Sequence, residues 1–233
     1  MAEEKKCTPY REKMMEQLNR LALAEVTEAA GMDLAASAGS LQAFRTDSVE
    51  KIGIGCFSDV SGSQYCLCTI IPKPEYALPL FVSIWNEQAG EITFLVDIMP
   101  TVDTLVDEEY RKKYIETMGP AWDRFAKLPG IRPEEDDELR SICSIIYTAA
   151  VVPVEKEGMR LAVLAPHTEY LKSYIDYLEA AEASASDEKQ KEVRRKTAAL
   201  RKLLRAYFRR VVGGPAGQLI GADAADLLLA VAC

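Results

Sequence analysis

The sequence predicts an α+β fold, and three observations carry that prediction. Between Lys51 and Ile98, four short apolar runs follow one another with no helix-length gap. From Asp103 onward, helical periodicity takes over. One further apolar run, SICSIIYTAAVV at Ser141 to Val152, falls among the helices. Closely spaced strands followed by helices are the pattern of an antiparallel sheet with segregated helices.

The elements follow in order. Met14, Leu18, Leu21 and Val26 recur at near-helical spacing, which predicts a helix over Tyr10 to Ala30, closed by Gly31. KIGIGCF, Lys51 to Phe57, is a strand interleaved with glycine. YCLCTII, Tyr65 to Ile71, and the run Leu80 to Asn86 are strands flanking a proline-rich connector. EITFLVDI, Glu91 to Ile98, follows a short turn at Gln88-Ala89-Gly90, so the four runs read as a meander. Helices are predicted over Asp103 to Met118 and Ala121 to Lys127, separated by Gly119-Pro120. EEDDE, Glu134 to Glu138, reads as an acidic surface segment, and Met159 to Ala165 reads as a further strand. His167 to Ala183, Asp187 to Val212 and Ala222 to Ala232 complete the helices.

Composition narrows the class. The 233 residues are 48% hydrophobic, enough for one large domain spanning residues 1–233. A net charge of −8 argues against a general nucleic-acid binder. No apolar run reaches the length of a membrane span, and MAEEKKCTPYREK has no signal-peptide core. The expected location is cytoplasmic, or the plastid stroma if a transit peptide has been removed. The six cysteines, Cys7, Cys56, Cys66, Cys68, Cys143 and Cys233, form no CxxC, and the chain holds one histidine. Reduced, buried cysteines and no metal are expected.

Signatures for nucleotides and for serine hydrolases are absent: there is no GxGxxG, no Walker loop and no GxSxG. The lone His167, beside Pro166, reads as a structural or solvent-exposed residue near a helix N-terminus. Charge is more informative. Lys189 to Arg210 carries ten Lys/Arg against one acid, while the rest of the chain carries 18 against 35. A basic helix on an acidic protein is a docking surface for an acidic partner or an anionic ligand, with Lys189, Arg194, Arg201 and Arg205 as its cations. Val193, Leu200, Leu203, Leu204 and Tyr207 form its buried stripe. A solvated helix face is the plainer alternative.

The connector is the most specific feature. PKPEYALPLF, Pro72 to Phe81, holds three prolines and no glycine between two strands, where tight hairpins use Asn-Gly or Gly-X. Together with Leu78-Pro79 and the strand ending Asp97-Ile98-Met99-Pro100, it resembles the ferredoxin-dependent bilin reductase family. Lys127-Leu128-Pro129, after a Tyr-containing helix, is similar to the related red chlorophyll catabolite reductases. The resemblance covers Gln64 to Ala150 and continues loosely to the C-terminus.

That resemblance implies an α/β/α sandwich: a central antiparallel sheet flanked by helices, with a linear tetrapyrrole between sheet and C-terminal helices. It implies reduced ferredoxin as the external electron donor, no bound cofactor, and side-chain acids as proton donors. The family's His or Asn before the connector falls on Leu67 here, its Asp or Glu after the connector on Ile84, and its C-terminal Asp on Arg210. Aliphatic residues donate no proton. Strand alternation puts Tyr65 and Thr69 on the face of Leu67, and Val82 and Asn86 on the face of Ile84. Tyr65 and Asn86 are therefore the candidate catalytic polar groups, with Leu67, Thr69, Val82, Ile84 and Arg210 as substrate contacts. A one-residue slip would substitute Cys66, Cys68, Ser83 and Trp85. Asp97 reads as a strand-end structural aspartate, and Asp59, in the turn DVSGSQ, as solvated. Three functions remain open: a reductase, a non-catalytic tetrapyrrole binder, and an interaction domain whose pocket is filled by aliphatic side chains.

Overall fold

The computed structural model describes residues 9–26, 38–58, 63–127, 132–133, 137, 140, 143–153 and 157–213. Its centre is an eight-stranded sheet built from β1 (Ala24–Glu25), β2 (Ala38–Arg45), β3 (Val49–Ser58), β4 (Gln64–Pro72), β5 (Leu80–Gln88), β6 (Glu91–Met99), β7 (Arg132–Pro133) and β8 (Thr148–Pro153). The order across the sheet is β1-β2-β3-β4-β5-β6-β8-β7, and neighbouring strands pair antiparallel throughout.

Both faces are covered, which is why β4 to β6 read as near-continuous apolar runs. One face carries Ile54, Cys66, Cys68, Phe81, Trp85 and Phe94. It packs against α1 (Pro9–Leu18) and α4 (Glu157–Glu179) through Met14, Leu18, Leu171 and Tyr174. The other face carries Tyr65, Leu67, Val82, Ile84, Leu95 and Met99. It packs against Leu204 and Tyr207 of α5 (Asp187–Gly213). Helices lie on each side of the sheet, as an α/β/α sandwich requires. Each fully buried Leu, Val or Phe in these layers contributes about 1.5–3 kcal/mol relative to exposure.

The connector between β4 and β5 is rigid for identifiable reasons. Pro74–Tyr76 forms one 3₁₀ turn, and Ala77 leaves it in the left-handed region at φ 47°. Its backbone groups are then bonded to four separate parts of the fold. Lys73 N donates to Ser48 O (3.0 Å) and Ala185 N donates to Glu75 O (3.1 Å). Thr101 Oγ1 donates to Leu78 O (2.8 Å) and Tyr174 OH to Pro79 O (2.6 Å). The prolines pre-set φ, and these bonds lock the offset between β4 and β5.

Several boundaries differ from the sequence expectation. The first helix ends at Leu18, where bonding tightens from Asn19 N–Met15 O to Arg20 N–Gln17 O and Leu21 N–Leu18 O. Ala24–Glu25 is instead an edge strand. The strand β2, AGSLQAFR, was not expected, because its Ala, Gly and Gln carry little β propensity. Of the Ser141–Val152 run, Cys143 to Tyr147 form a bend and a turn, and strand begins only with Thr148–Pro153. Met159 to Ala165 is helix, the opening of α4. Val163, Tyr170, Leu171, Tyr174, Ile175 and Leu178 face the core at helical spacing, and Pro166 sits inside the helix rather than before it. The expected helix from Asp103 begins at Glu108 (α2, Glu108–Tyr110), with Asp107 Oδ1 accepting from Tyr110 N (2.9 Å) as its cap. A π turn and a 3₁₀ turn then lead into α3 (Gly119–Phe125). Gly31, Asp59, Cys7, Cys233, the helix expected over Ala222 to Ala232 and most of the Glu134 to Glu138 segment lie outside the described residues.

Candidate functional site

The alternation expected of β4 and β5 is the one observed. Tyr65, Leu67, Val82 and Ile84 all belong to the layer beneath α5, and Thr69 is buried in phase with them. Cys66, Cys68 and Trp85 belong to the opposite layer. Register organises the α5 face into rows that run across the strands. One row is Gly53, Thr69, Val82 and Asp97. The next is Gly55, Leu67, Ile84 and Leu95, and beyond it Tyr65, Asn86 and Thr93 stand side by side. Gly53 and Gly55 are buried yet place no side chain on this face, so beside Thr69 and Leu67 the floor over β3 is backbone, while Phe57 fills the position beside Tyr65. The layer is buried and apolar, with a few polar groups at its two ends.

Asn86 adds an acceptor. Its Oδ1 is buried and makes no hydrogen bond among the described residues. Burying such an oxygen without a donor costs about 1–3 kcal/mol. On α5, Thr197 Oγ1 is likewise buried without a partner.

The position of α5 follows from its charges. Lys189 pairs with Asp107, and Asp103 N donates to Glu192 Oε1 (2.9 Å), just beyond the end of β6. Arg201 pairs with Glu50 (3.1 Å) at the start of β3. The helix between these ties is about 18 Å long at 1.5 Å per residue. Three strand spacings are about 14–15 Å. The basic helix therefore crosses β6, β5, β4 and β3 in turn, roofing one end of the rows with Leu200, Leu204 and Tyr207.

These ties sort the expected docking cations. Lys189 and Arg201 are committed to Asp107 and Glu50. Arg194 is exposed and bonds along its own helix to Gln190 Oε1 (3.0 Å). Arg205 is exposed and lines an open groove of about 520 Å³ with Ala198, Arg201, Lys202, Ala206 and Arg209. Arg210 lies in α5 one residue beyond Arg209; its side chain is outside what is described. Lys191, Arg194, Arg195, Lys202, Arg205 and Arg209 are exposed along the whole length of the helix.

Asp97, read from the sequence as a strand-end structural aspartate, is tied into the fold near the end of its strand. It is buried, two residues before the end of β6, and faces α5 opposite Val82. Its Oδ1 accepts from Ile98 N (2.8 Å) and Ser144 Oγ (2.5 Å), and its Oδ2 from Ser144 N (2.7 Å). Burial pushes this carboxyl up to about 6, against the pull of those hydrogen bonds. Glu87, the other buried carboxyl among the described residues, lies at the end of β5 and pairs with Arg160 (2.6 Å). The signal for Asp97 was available: a carboxylate inside FLVDIM, in phase with Leu95 and Met99, belongs to the same side as its neighbours' pocket residues.

His167 differs from its expected place. It sits in mid-helix, fully buried on the opposite face, ringed by Tyr10, Trp85 and Phe94 with centroids 5.4–5.8 Å away. Its Nδ1 lies 2.6 Å from Ser83 Oγ, which lies 2.7 Å from Tyr10 OH. Desolvation lowers its pKa to about 3, so the ring is neutral. This is a core network between sheet, α1 and α4. Among the described residues no three His, Cys, Asp or Glu side chains converge as metal ligands, and no helix is long and apolar enough to cross a membrane.

No family model matches the sequence, and no curated protein matches it either. Solved structures do match. Phytochromobilin synthase from tomato, in complex with biliverdin, superposes with a TM-score of 0.70 at 18% identity, over 94% of this chain and 79% of that one. A structure of PcyX aligns over 94% of this chain and 92% of its own at 14% identity, with a TM-score of 0.48, too loose to bear on the fold. The chain has a divergent bilin-reductase-like fold: an antiparallel sheet between helices.

Proposed function

We propose that the protein binds a linear tetrapyrrole on the α5-covered face of the sheet and reduces it with electrons from ferredoxin. The observation that carries this reading is Asn86 Oδ1, a buried acceptor without a donor among the described residues, at the edge of an apolar floor. A linear tetrapyrrole supplies what that surface lacks: a wide conjugated plane and a row of pyrrole N–H donors. The phytochromobilin synthase that shares the fold was solved with biliverdin, which supports the same ligand class. Leu67, Val82 and Ile84 contact the plane, Tyr65, Thr69 and Asn86 meet its polar edge, and Arg210 meets its propionates. Reduction needs electrons from outside the chain. The exposed cations Arg205 and Arg209 on an otherwise acidic protein fit an acidic one-electron donor such as ferredoxin, in the cytoplasm or plastid stroma.

One observation favours a second reading, a non-catalytic tetrapyrrole binder. Leu67 and Ile84 lie side by side at the centre of the floor and carry no proton. The test that separates the two is an absorbance titration with biliverdin, followed by anaerobic addition of reduced ferredoxin. A saturable spectral shift that then moves stepwise supports the reductase. A shift that persists unchanged supports the binder, and no shift refutes both for this ligand. Tyr65→Phe, Thr69→Val and Asn86→Ala should each weaken binding or reduction; if all three leave both intact, the site lies elsewhere.

A further inference from the structure

Resting on the reading of this face as a tetrapyrrole site, we propose that Asp97, paired with Ser144, is the proton source that replaces the acids missing at Leu67 and Ile84. Three observations and one chemical argument converge on it. Asp97 shares its row with Thr69 and Val82, two of the pocket residues, and neighbours the row of Leu67 and Ile84. Among the described residues it is the buried carboxyl of this layer; Glu87, in phase with Trp85, belongs to the opposite side and pairs with Arg160. Of the polar side chains on the face, only a carboxyl releases a proton readily near neutrality. Finally, three donors already surround it: Ile98 N, Ser144 N and Ser144 Oγ stand ready to hold the carboxylate that donation leaves behind.

The charge environment suits the task. Among the described residues, the titratable groups that act on Asp97 are the Cys143 thiol, which hydrogen-bonds it, and the Tyr170 phenol on α4. Neither is a cation, so burial dominates and the carboxyl stays partly protonated near neutral pH, where a general acid works best. Ser144 opposes that shift, which makes it a positioning residue that tunes Asp97.

The step balances as follows. One reduced ferredoxin gives one electron to the bound bilin, forming its radical anion. Asp97 passes its carboxyl proton to that radical, which becomes neutral as Asp97 becomes a carboxylate. A second reduced ferredoxin supplies the second electron and water supplies the second proton, so one C=C becomes CH–CH and two ferredoxins are oxidised. A proton from water restores Asp97.

The experiment is anaerobic biliverdin reduction by reduced ferredoxin from pH 5 to 9, with wild type, Asp97→Asn and Ser144→Ala. Biliverdin affinity is measured alongside by absorbance. The expected results are three. Wild type loses rate as pH rises through a limb near the Asp97 value. Asp97→Asn binds biliverdin within about threefold of wild type but reduces it at least about 100-fold more slowly. Ser144→Ala, lacking a donor that favours the carboxylate, moves the limb to higher pH. Asp97→Asn with near-normal reduction, or an unmoved limb in Ser144→Ala, overturns the role of Asp97 while leaving the reductase reading intact. A wild type that binds but never reduces, or never binds, overturns both. If Asp97→Asn fails to fold, the limb shift in Ser144→Ala decides alone, because a merely structural role for the pair would not move it.

Discussion

Replacing Asp97 by asparagine should change the pH dependence of stability in a calculable way. The folded carboxyl titrates at about 6 and a solvated one at 3.8, a gap worth about 3 kcal/mol at 1.36 kcal/mol per tenfold. The folded value is the higher one, so the folded chain holds the proton longer. Below 3.8 both states are protonated and nothing is lost. As pH rises from about 4 to 6 the unfolded chain gives up its proton first, and stability falls. Above 6 the deficit is constant. About 2 kcal/mol of it develops between pH 4.5 and 7.5. Asparagine does not titrate, so Asp97→Asn should gain about 2 kcal/mol on wild type over that interval, whatever its offset from lost Ser144 contacts. Urea unfolding followed by tryptophan fluorescence at the two pH values measures this difference directly. If the stability gap between the two proteins is the same at pH 4.5 and 7.5 within about 0.5 kcal/mol, Asp97 titrates normally and the desolvation argument is refuted.

Three further outcomes can be checked. Because His167 is the single histidine and desolvation holds its pKa at about 3, its imidazole NMR signals should not move between pH 5 and 8; a midpoint near 6.5 would show the ring to be hydrated. Ser83→Ala removes the hydroxyl that joins Tyr10 OH to His167 Nδ1; Tyr10 keeps its bond to Ser83 O, and leaving the buried His167 Nδ1 unmatched should cost about 1–3 kcal/mol by denaturant unfolding. In the β5–β6 hairpin, Ala89 and Gly90 are both at positive φ (50° and 82°), the geometry of a type I′ turn; Ala89→Asn should therefore stabilise by about 0.5–1 kcal/mol, and a lower melting temperature would contradict that turn.

What was legible in the sequence was what depends on near neighbours. Strands β3 to β6 are separated by short turns, and their period-two alternation, counted from the connector, placed Tyr65, Leu67, Thr69, Val82 and Ile84 on one face. Where local signals were weak or contradictory, the reading missed. The Ala, Gly and Gln of β2 disguise a strand that exists because Phe57 and Gly55 pair with it. Pro166 broke the periodicity of α4, yet the helix continues through it because Tyr170, Leu171 and Tyr174 beyond it and Val163 and Leu164 before it share one core. The least legible facts were the long-range partners. Nothing near Asp97 announces that Ser144, 47 residues away, will close over it. Nor does the run of α5 cations announce that Lys189 and Arg201 will be taken by Asp107 and Glu50, 82 and 151 residues distant. Those partners made a residue read as structural a candidate acid, and singled out Lys189 and Arg201 as ties within a uniform basic patch.

Those ties link the two parts of the proposed chemistry. Lys189 and Arg201 fasten α5 across the strand ends, so the helix is fixed relative to the floor. The C-terminal half presents Leu204 and Tyr207 inward and Arg205 and Arg209 outward. An electron donor bound to the outer side would be separated from a ligand on the inner side by one helix, about 10–12 Å across. The proton would come from the other direction, from Asp97 in the floor. Electron and proton sources on opposite sides of a planar ligand do not compete for space, and neither position requires an acid at Leu67 or Ile84. The aliphatic centre of the floor can then serve packing alone, excluding water from the bound plane and strengthening every polar contact at its edges.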